Sequence, residues 1–302
     1  MYQELIKMLP RDRVLRDEPM SKHCTFKIGG PADVLVMPGT IKELHDVLQW
    51  SRANAVDCYV IGNGSNLLVL DGGVRGVVIE LGKRFKGVNF FGELTYALAG
   101  TRLSELAKKV ALEGLSGLEF AEGIPGSVGG AIAMNAGAYG GEMKNVVVSV
   151  MALDEQGEEV VYRADQLGMS YRHSIFQENG QTIIGAYFRL QPDNYEAINQ
   201  RMLDYSRTRR EKQPMEFPSA GSIFKRPEGM FVGTMIEEAG LKGYSIGDAQ
   251  VSVKHAGFIV NRGHASAQQV LELIEHIRSV IRENYKVELQ MELRIIGEPE
   301  LI

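Results

Sequence analysis

Two glycine-rich stretches carry residue types that can do chemistry without a reactive side chain: GNGSN at 62–66 and GIPGSVGG at 123–130. The second lies in a longer run, 121–140, where eleven of twenty residues are Gly or Ala. When side chains are absent from successive positions, main-chain N–H groups converge into a concave nest that holds an anion without a cationic side chain. A dinucleotide pyrophosphate is a ligand of that kind. Neither stretch is one of the common phosphate fingerprints, because GNGSNL lacks the third glycine of G-x-G-x-x-G and no G-x-x-x-x-G-K-[ST] occurs. Close packing of a helix is the competing explanation for a single small-residue loop. Two such loops, each with a serine as an extra donor, weigh toward an anion.

Other reactive types show less pattern. His23, His45, His173, His255, His264 and His276 have no H-x-x-x-H or similar spacing, so no metal site is expected. His173 stands beside Arg172, with a structural role as its default. Cys24 and Cys58 form no C-x-x-C, so buried, inert thiols are expected. Taken alone, Ser222 follows Pro and Gly and reads as a turn or cap hydroxyl. Arg172 alone reads as a surface ion pair, although arginine suits bidentate capture of a carboxylate. The basic run RTRREK, 207–212, reads as a solvated helix end.

The elements that must position these residues alternate strand and helix in the first part of the chain. ADVLVMP, 32–38, is extended. Thr40 and Glu43 form a T-x-x-E capping box before Leu44, Val47 and Leu48 at helical spacing. AVDCYVIG is a strand entering GNGSN, VRGVVIEL, 74–81, is another, and a helix through Leu103, Leu106 and Val110 ends near Gly114. Hairpins follow: VVVSVMALDEQGEEVVYRA turns at DEQG, and TIIGAYFRL, 182–190, adds a third strand. A polar helix spans about 195–212 and leads to the breakers of KQPMEFPSAG, the best candidate boundary. Ser266 with Gln269 caps a helix carrying Val270, Ile274, Ile277 and Ile281. VELQMELRII alternates as a closing strand, with Glu292 and Arg294 on its polar face.

The composition frames these elements. The chain has 302 residues, 44% apolar and 24% charged, as expected of a globular protein with two or three domains. A formal charge of -5 argues against a duplex-binding surface. The start, MYQELIKMLPRDR, has no apolar core of signal-peptide length and nowhere do about 18 apolar residues run together, so a cytosolic protein without membrane attachment is expected.

A set of blocks then carries a family resemblance: FKIGGPAD (26–33), VIGNGSNLL (60–68), EGIPGSVGGAIAMNAGAYG (122–140), SYRHSIF (170–176), AGSIFKRP (220–227), KHAGFIVN (254–261) and ELRIIGE (292–298). In this order, across nearly the whole chain, they resemble the UDP-N-acetylenolpyruvoylglucosamine reductase family, in its shorter, second structural type without a substrate-capping loop. The resemblance implies an α+β fold: a two-subdomain FAD-binding region of the vanillyl-alcohol-oxidase (PCMH) type plus a C-terminal α+β substrate-binding domain. The expected limits are 1–85, 86–205 and 206–302, with the last strand able to pack back on the first domain. It further implies FAD as cofactor, with Gly62, Asn63, Gly64, Ser65 and Asn66 wrapping the pyrophosphate and Gly123, Ile124, Pro125, Gly126, Ser127, Gly129 and Gly130 closing on it.

By the same resemblance the reaction is NADPH-dependent reduction of UDP-N-acetylglucosamine enolpyruvate to UDP-N-acetylmuramate for peptidoglycan, in a bacterial cytosol and by a monomer. Such a reduction needs a hydride source, an acid and fixed electrostatic support. Ser222 matches the proton donor, Arg172 the cation near the substrate carboxylate and Glu292 the acidic partner. Lys212, Lys225, Gln250 and Asn135 are the further substrate-binding candidates. Two alternatives remain at this point: a flavin-dependent alcohol oxidase of the same FAD-binding class, and a non-catalytic nucleotide-sugar-binding protein.

Overall fold

Local sequence rules account for most of the elements in the computed structural model, which describes residues 2–300. The chain divides into two compact units. One contains Met1–Leu15, Val34–Asn63 and Gly76–Arg209; the other contains Arg16–Asp33, Gly64–Arg75 and Arg210–Ile302. A four-stranded sheet runs in the order Val14–Pro19, Pro31–Val36, Val74–Glu80, Cys58–Ile61, and its last two strands pair in parallel.

In the first unit, the helix Ile41–Ala53 starts where Thr40 Oγ1 accepts from the Glu43 amide at 3.1 Å. The predicted box is only half made. The Glu43 carboxylate reaches one residue beyond the cap, taking the Gly39 amide at 2.6 Å, and also pairs with Arg13 at 3.2 Å. A cation from a distant segment outcompetes the local amide. The hairpin around DEQG forms as read, joining Val147–Leu153 to Glu159–Arg163 within an antiparallel five-stranded sheet that also holds Thr182–Arg189, Leu94–Leu98 and Val88–Phe91. Leu103, Leu106 and Val110 place one buried stripe of the helix Leu103–Leu112 in this unit's core, with Val150, Ile184 and Phe188. Each such side chain contributes about 1.5–3 kcal/mol on full burial.

The second unit is built on an antiparallel sheet ordered Ser219–Ser222, Phe258–Asn261, Ala249–Val251, Ser245–Ile246. The helix Ala267–Tyr285 buries Val270, Leu273, Ile274, Ile277 and Ile281, and begins with the complete Ser266–Gln269 capping box. Cys24 and Cys58 are free, and burial pushes both thiols up, Cys58 to about 11.

The closing run departs from the sequence reading. Only Arg294–Ile296 is a strand, parallel to Leu67–Val69. Upstream, the main chain changes partner: Gln290 O accepts from Lys225, the Glu292 amide donates to Ile223 O, and the Arg294 amide donates to Asn66 O. Leu289 and Leu293 stay buried, whereas Met291 and Ile295 are exposed. A segment handed between two partners cannot keep a period of two.

This run is tied to the helix through Glu288, whose carboxylate takes 2.6 Å hydrogen bonds from Arg282 Nε and Arg278 Nη2. The Arg282 and Arg278 hydrogen bonds pull its pKa from 4.5 to about 2. A depressed carboxyl contributes stability in full above its unfolded pKa, and loses that contribution as pH falls through the folded one. Glu288→Gln is therefore expected to flatten the loss of stability between about pH 4.5 and 2, measured by denaturant unfolding across that window. A variant whose acid limb is as steep as the parent's refutes the assignment.

Candidate active site

The strand Cys58–Ile61 delivers the chain into the first glycine loop. A Cβ on Gly62 would lie 2.0 Å from Ser127 Oγ, and one on Gly129 would lie 2.9 Å from the Ala99 Cβ. Asn63 Nδ2 donates to the Pro125 carbonyl at 3.2 Å, so the first two residues of the first stretch, Gly62 and Asn63, meet the second stretch within the first unit. Close approach of main chain to main chain is one reason for the glycines, as the packing explanation holds. It is not the whole reason. Among the described residues, the amides of Asn63, Gly64, Ser65 and Asn66, and those of Gly123, Gly126 and Ser127, donate to no protein acceptor. Main-chain donors left over on side-chain-poor loops suit the diphosphate of a flavin dinucleotide.

The individual loop residues divide the work. Ser127, 2% exposed, caps the helix Val128–Ala133 by accepting from the Gly130 amide at 3.3 Å. Gly126 O accepts from Leu103, the Ile124 amide donates to Ala121 O, and the Gly129 amide donates to Ala99 O. These bonds fix the second loop on its own unit. Asn66 has a second task, since its Nδ2 donates to the Glu292 carbonyl at 3.0 Å.

Two supports of the second loop were not visible in the sequence. Glu119 sits in the turn before it and accepts from Arg201 Nη2 at 2.6 Å, the Gly117 amide at 2.7 Å and Ser116 Oγ at 2.8 Å. Burial raises this carboxyl, but the Arg201 and main-chain donors outweigh it and hold it below the ordinary value. Arg209, 9% exposed, lies against Gly123 and 5.8 Å over the Tyr139 ring, and burial lowers its pKa. It belongs to RTRREK, and no pattern in that run marks one arginine as turning inward.

In the second unit, Ser222 ends the strand Ser219–Ser222 just past a bulge at which Gly221 takes φ +78°. Bulges re-aim the side chain that follows. Among the described residues the Ser222 hydroxyl makes no hydrogen bond to the chain, so the turn or cap role suggested by its neighbours is not what it does. The adjacent Ile223 carbonyl accepts the Glu292 amide at 2.8 Å, which ties the Glu292 main chain to the residue that follows Ser222. Lys225 is half-buried and donates its amide to Gln290. Gln250 is half-buried, its Nε2 on Gly243 O and Ser245 Oγ. Lys212 is exposed at the end of the helix Tyr195–Lys212.

Arg172 belongs to the first unit, at the tip of a tight turn closed by reciprocal 3.2 Å hydrogen bonds between Ser170 and His173. Its φ is +55°, uncommon for a side chain of this size, and its guanidinium stands 5.1 Å over the Tyr171 ring. Asn135 is fully buried: Nδ2 reaches Ser170 O at 2.9 Å and Glu142 at 2.8 Å, and Oδ1 accepts from Lys144. Its side chain thus serves the Arg172 turn. His173 pairs with Glu178 at 2.7 Å. No cluster of His, Cys, Asp or Glu able to hold a metal occurs among the described residues.

Comparison with known proteins matches residues 32–163 to a family model described as an FAD binding domain, and residues 213–296 to one described as UDP-N-acetylenolpyruvoylglucosamine reductase, C-terminal domain. A UDP-N-acetylenolpyruvoylglucosamine reductase of Syntrophomonas wolfei is 48% identical over 298 residues, covering 99% of this chain and 100% of that one. The reductase of Caldanaerobacter subterraneus is 47% identical over 98% of this chain and 97% of its own. The crystal structure of the Thermus caldophilus enzyme superposes with a TM-score of 0.82 at 38% identity, over 94% of this chain and 99% of that one. An alkyldihydroxyacetonephosphate synthase at 17% identity and TM-score 0.50 covers 64% of this chain and 41% of its own, and shares fold alone.

Proposed function

The chain belongs to the UDP-N-acetylenolpyruvoylglucosamine reductase family, and from that premise we propose which of its side chains carry the reaction. The protein is an NADPH-dependent flavoprotein that reduces UDP-N-acetylglucosamine enolpyruvate in peptidoglycan synthesis. The alcohol oxidase and the non-catalytic sugar binder fall away with this membership. We further propose a cytosolic monomer with FAD-binding subdomains at 1–85 and 86–205 and a substrate domain at 206–302. Among the described residues no helix is long and apolar enough to cross a membrane.

Bound FAD supplies the hydride, drawn from NADPH, that an enolpyruvyl alkene must receive. The glycine loops hold its diphosphate through the amides of Asn63, Gly64, Ser65 and Asn66 and those of Gly123, Gly126 and Ser127, with Gly62, Gly129 and Gly130 allowing the approach. Ile124 and Pro125 shape the turn between. Ser222 donates the proton to the neighbouring carbon. The observation that carries this assignment is its hydroxyl, engaged by no acceptor in the chain among the described residues. A serine is a weak acid, so its developing alkoxide needs a cation, and Lys225 follows three residues later. Glu292, suspended from the Ile223 carbonyl, is its acidic partner. Arg172 takes the substrate carboxylate in a bidentate pair and stabilises the charge that accumulates there. Lys212, Gln250 and Asn135 complete the proposed substrate set, Asn135 acting through the Arg172 turn.

Arg172→Ala tests the carboxylate assignment. Hydrogen bonds to charged groups contribute about 1.5–3 kcal/mol, so affinity for the enolpyruvyl substrate should fall about 10- to 100-fold. Flavin reduction by NADPH should stay within twofold of the parent. Unchanged affinity would remove Arg172 from the site.

A further inference from the structure

The turn that carries Arg172 is held from behind by the side chains of Gln177, Ser174 and Asn135. Gln177 Nε2 donates to the Arg172 carbonyl at 3.0 Å and to the Ala133 carbonyl at 2.7 Å. Ser174, fully buried, donates its hydroxyl to that same Ala133 carbonyl at 2.9 Å. Asn135 Nδ2 takes the Ser170 carbonyl at the other foot of the turn. Ala133 is the last residue of the helix Val128–Ala133, and that helix opens at Ser127 in the second glycine loop. One side chain, Gln177, therefore spans two main-chain carbonyls: one belongs to the proposed substrate-binding arginine, the other to the short helix leaving the loop proposed for the cofactor.

The backbone at Arg172 gives this bridge something to do. A bulky residue at φ +55° sits in the left-handed region that its Cβ disfavours. Left to itself, the turn relaxes and the guanidinium leaves its place. Two hydrogen bonds to carbonyls, at Arg172 and Ala133, oppose that preference. Asn135 shows the same economy: it is fully buried, with φ +40°, and each polar end of its side chain is spent on a neighbouring segment.

We infer that Gln177 is a positioning residue for the reduction, keeping Arg172 in its left-handed conformation by bridging the Arg172 and Ala133 carbonyls, so that the carboxylate site is registered against the helix leaving the second glycine loop. The inference rests on the reading of Arg172 as the carboxylate ligand. It assigns Gln177 no contact with substrate or cofactor.

The test uses the full-length flavoprotein with Gln177→Ala, which removes both donors, and Gln177→Lys, whose ammonium can donate to both carbonyls again. Three readouts are taken: substrate affinity, the rate of flavin reduction by NADPH, and amide hydrogen exchange across residues 170–177 in the apoprotein. Gln177→Ala should weaken enolpyruvyl substrate binding about tenfold, leave NADPH reduction within twofold and speed exchange at Ser170 and His173. Gln177→Lys should recover most of the affinity. Faster exchange with unchanged substrate affinity would show a merely structural brace and overturn the inference, as would unchanged exchange and affinity together. Arg172→Ala, measured alongside, separates the two claims. If it weakens binding while Gln177→Ala does not, only the inference fails. If it leaves binding intact, the carboxylate reading fails and the inference with it.

Discussion

Ser222→Ala is expected to bleach its flavin with NADPH at the parental rate and to reoxidise with the enolpyruvyl substrate about a thousandfold more slowly. The separation follows from where the proton is needed. Taking hydride from NADPH requires no proton at the substrate carbon, whereas completing reduction of the alkene does. A positioned general acid contributes typically 10²- to 10⁴-fold. The hydroxyl removed is small, half-buried and bonded to nothing else among the described residues, so the fold should lose little. Stopped-flow absorbance of the two half-reactions measures both rates, and a melting curve checks the fold. If the variant reoxidises normally, the proton comes from another group, and the bulge at Gly221 needs a different explanation.

Gly62→Ala should cost the protein its cofactor. The added methyl would sit 2.0 Å from Ser127 Oγ and 3.0 Å from its Cβ, well inside van der Waals contact. Neither side can yield freely. Ser127 is the cap of the helix Val128–Ala133, and rotating its hydroxyl away releases the Gly130 amide at a cost of about 1 kcal/mol. Moving the loop instead pulls Asn63 off the Pro125 carbonyl. Overpacking of this kind costs about 1–3 kcal/mol, so FAD affinity of the apoprotein should fall about 10- to 100-fold, measured by flavin fluorescence titration. Adding Ser127→Ala to Gly62→Ala removes the nearer clash and should restore part of the affinity. If Gly62→Ala binds FAD as tightly as the parent, the interlocked loops are not the cradle.

Both predictions concern residues that the sequence pointed to for reasons the structure only partly shares. The glycine loops were legible because stripped side chains are visible in any sequence, and the structure adds that several of their amides donate to no protein acceptor among the described residues. What could not be read is that Gly62 faces Ser127, or that Asn63 and Pro125, 62 positions apart, hold the loops together. Pro and Gly before Ser222 suggest a turn hydroxyl, but past the bulge at Gly221 that hydroxyl bonds to nothing in the chain among the described residues. The alternation of VELQMELRII predicted a strand and failed in its middle, since the period assumes one partner and this segment has two. The Thr40–Glu43 box was half right for a similar reason: Arg13 is invisible to a four-residue motif.

Taken by itself, the sequence determined the elements whose energetics are settled within a few residues. These are the Ser266–Gln269 cap, the apolar stripe of the helix Ala267–Tyr285, the hairpin at DEQG, the Gly and Ala run, and the ordered motifs by which the family is recognised. Spacing fixes such features because neighbours in a helix or turn are neighbours in the chain. Only the tertiary structure decided which polar groups answer each other. Asn66 holds Glu292 across 226 positions, Gln177 reaches Ala133 across 44, and Arg209 turns inward from a run of otherwise ordinary basic residues. A buried hydrogen bond is satisfied by whichever group the closed fold brings within 3 Å, and no local pattern in the chain encodes that choice.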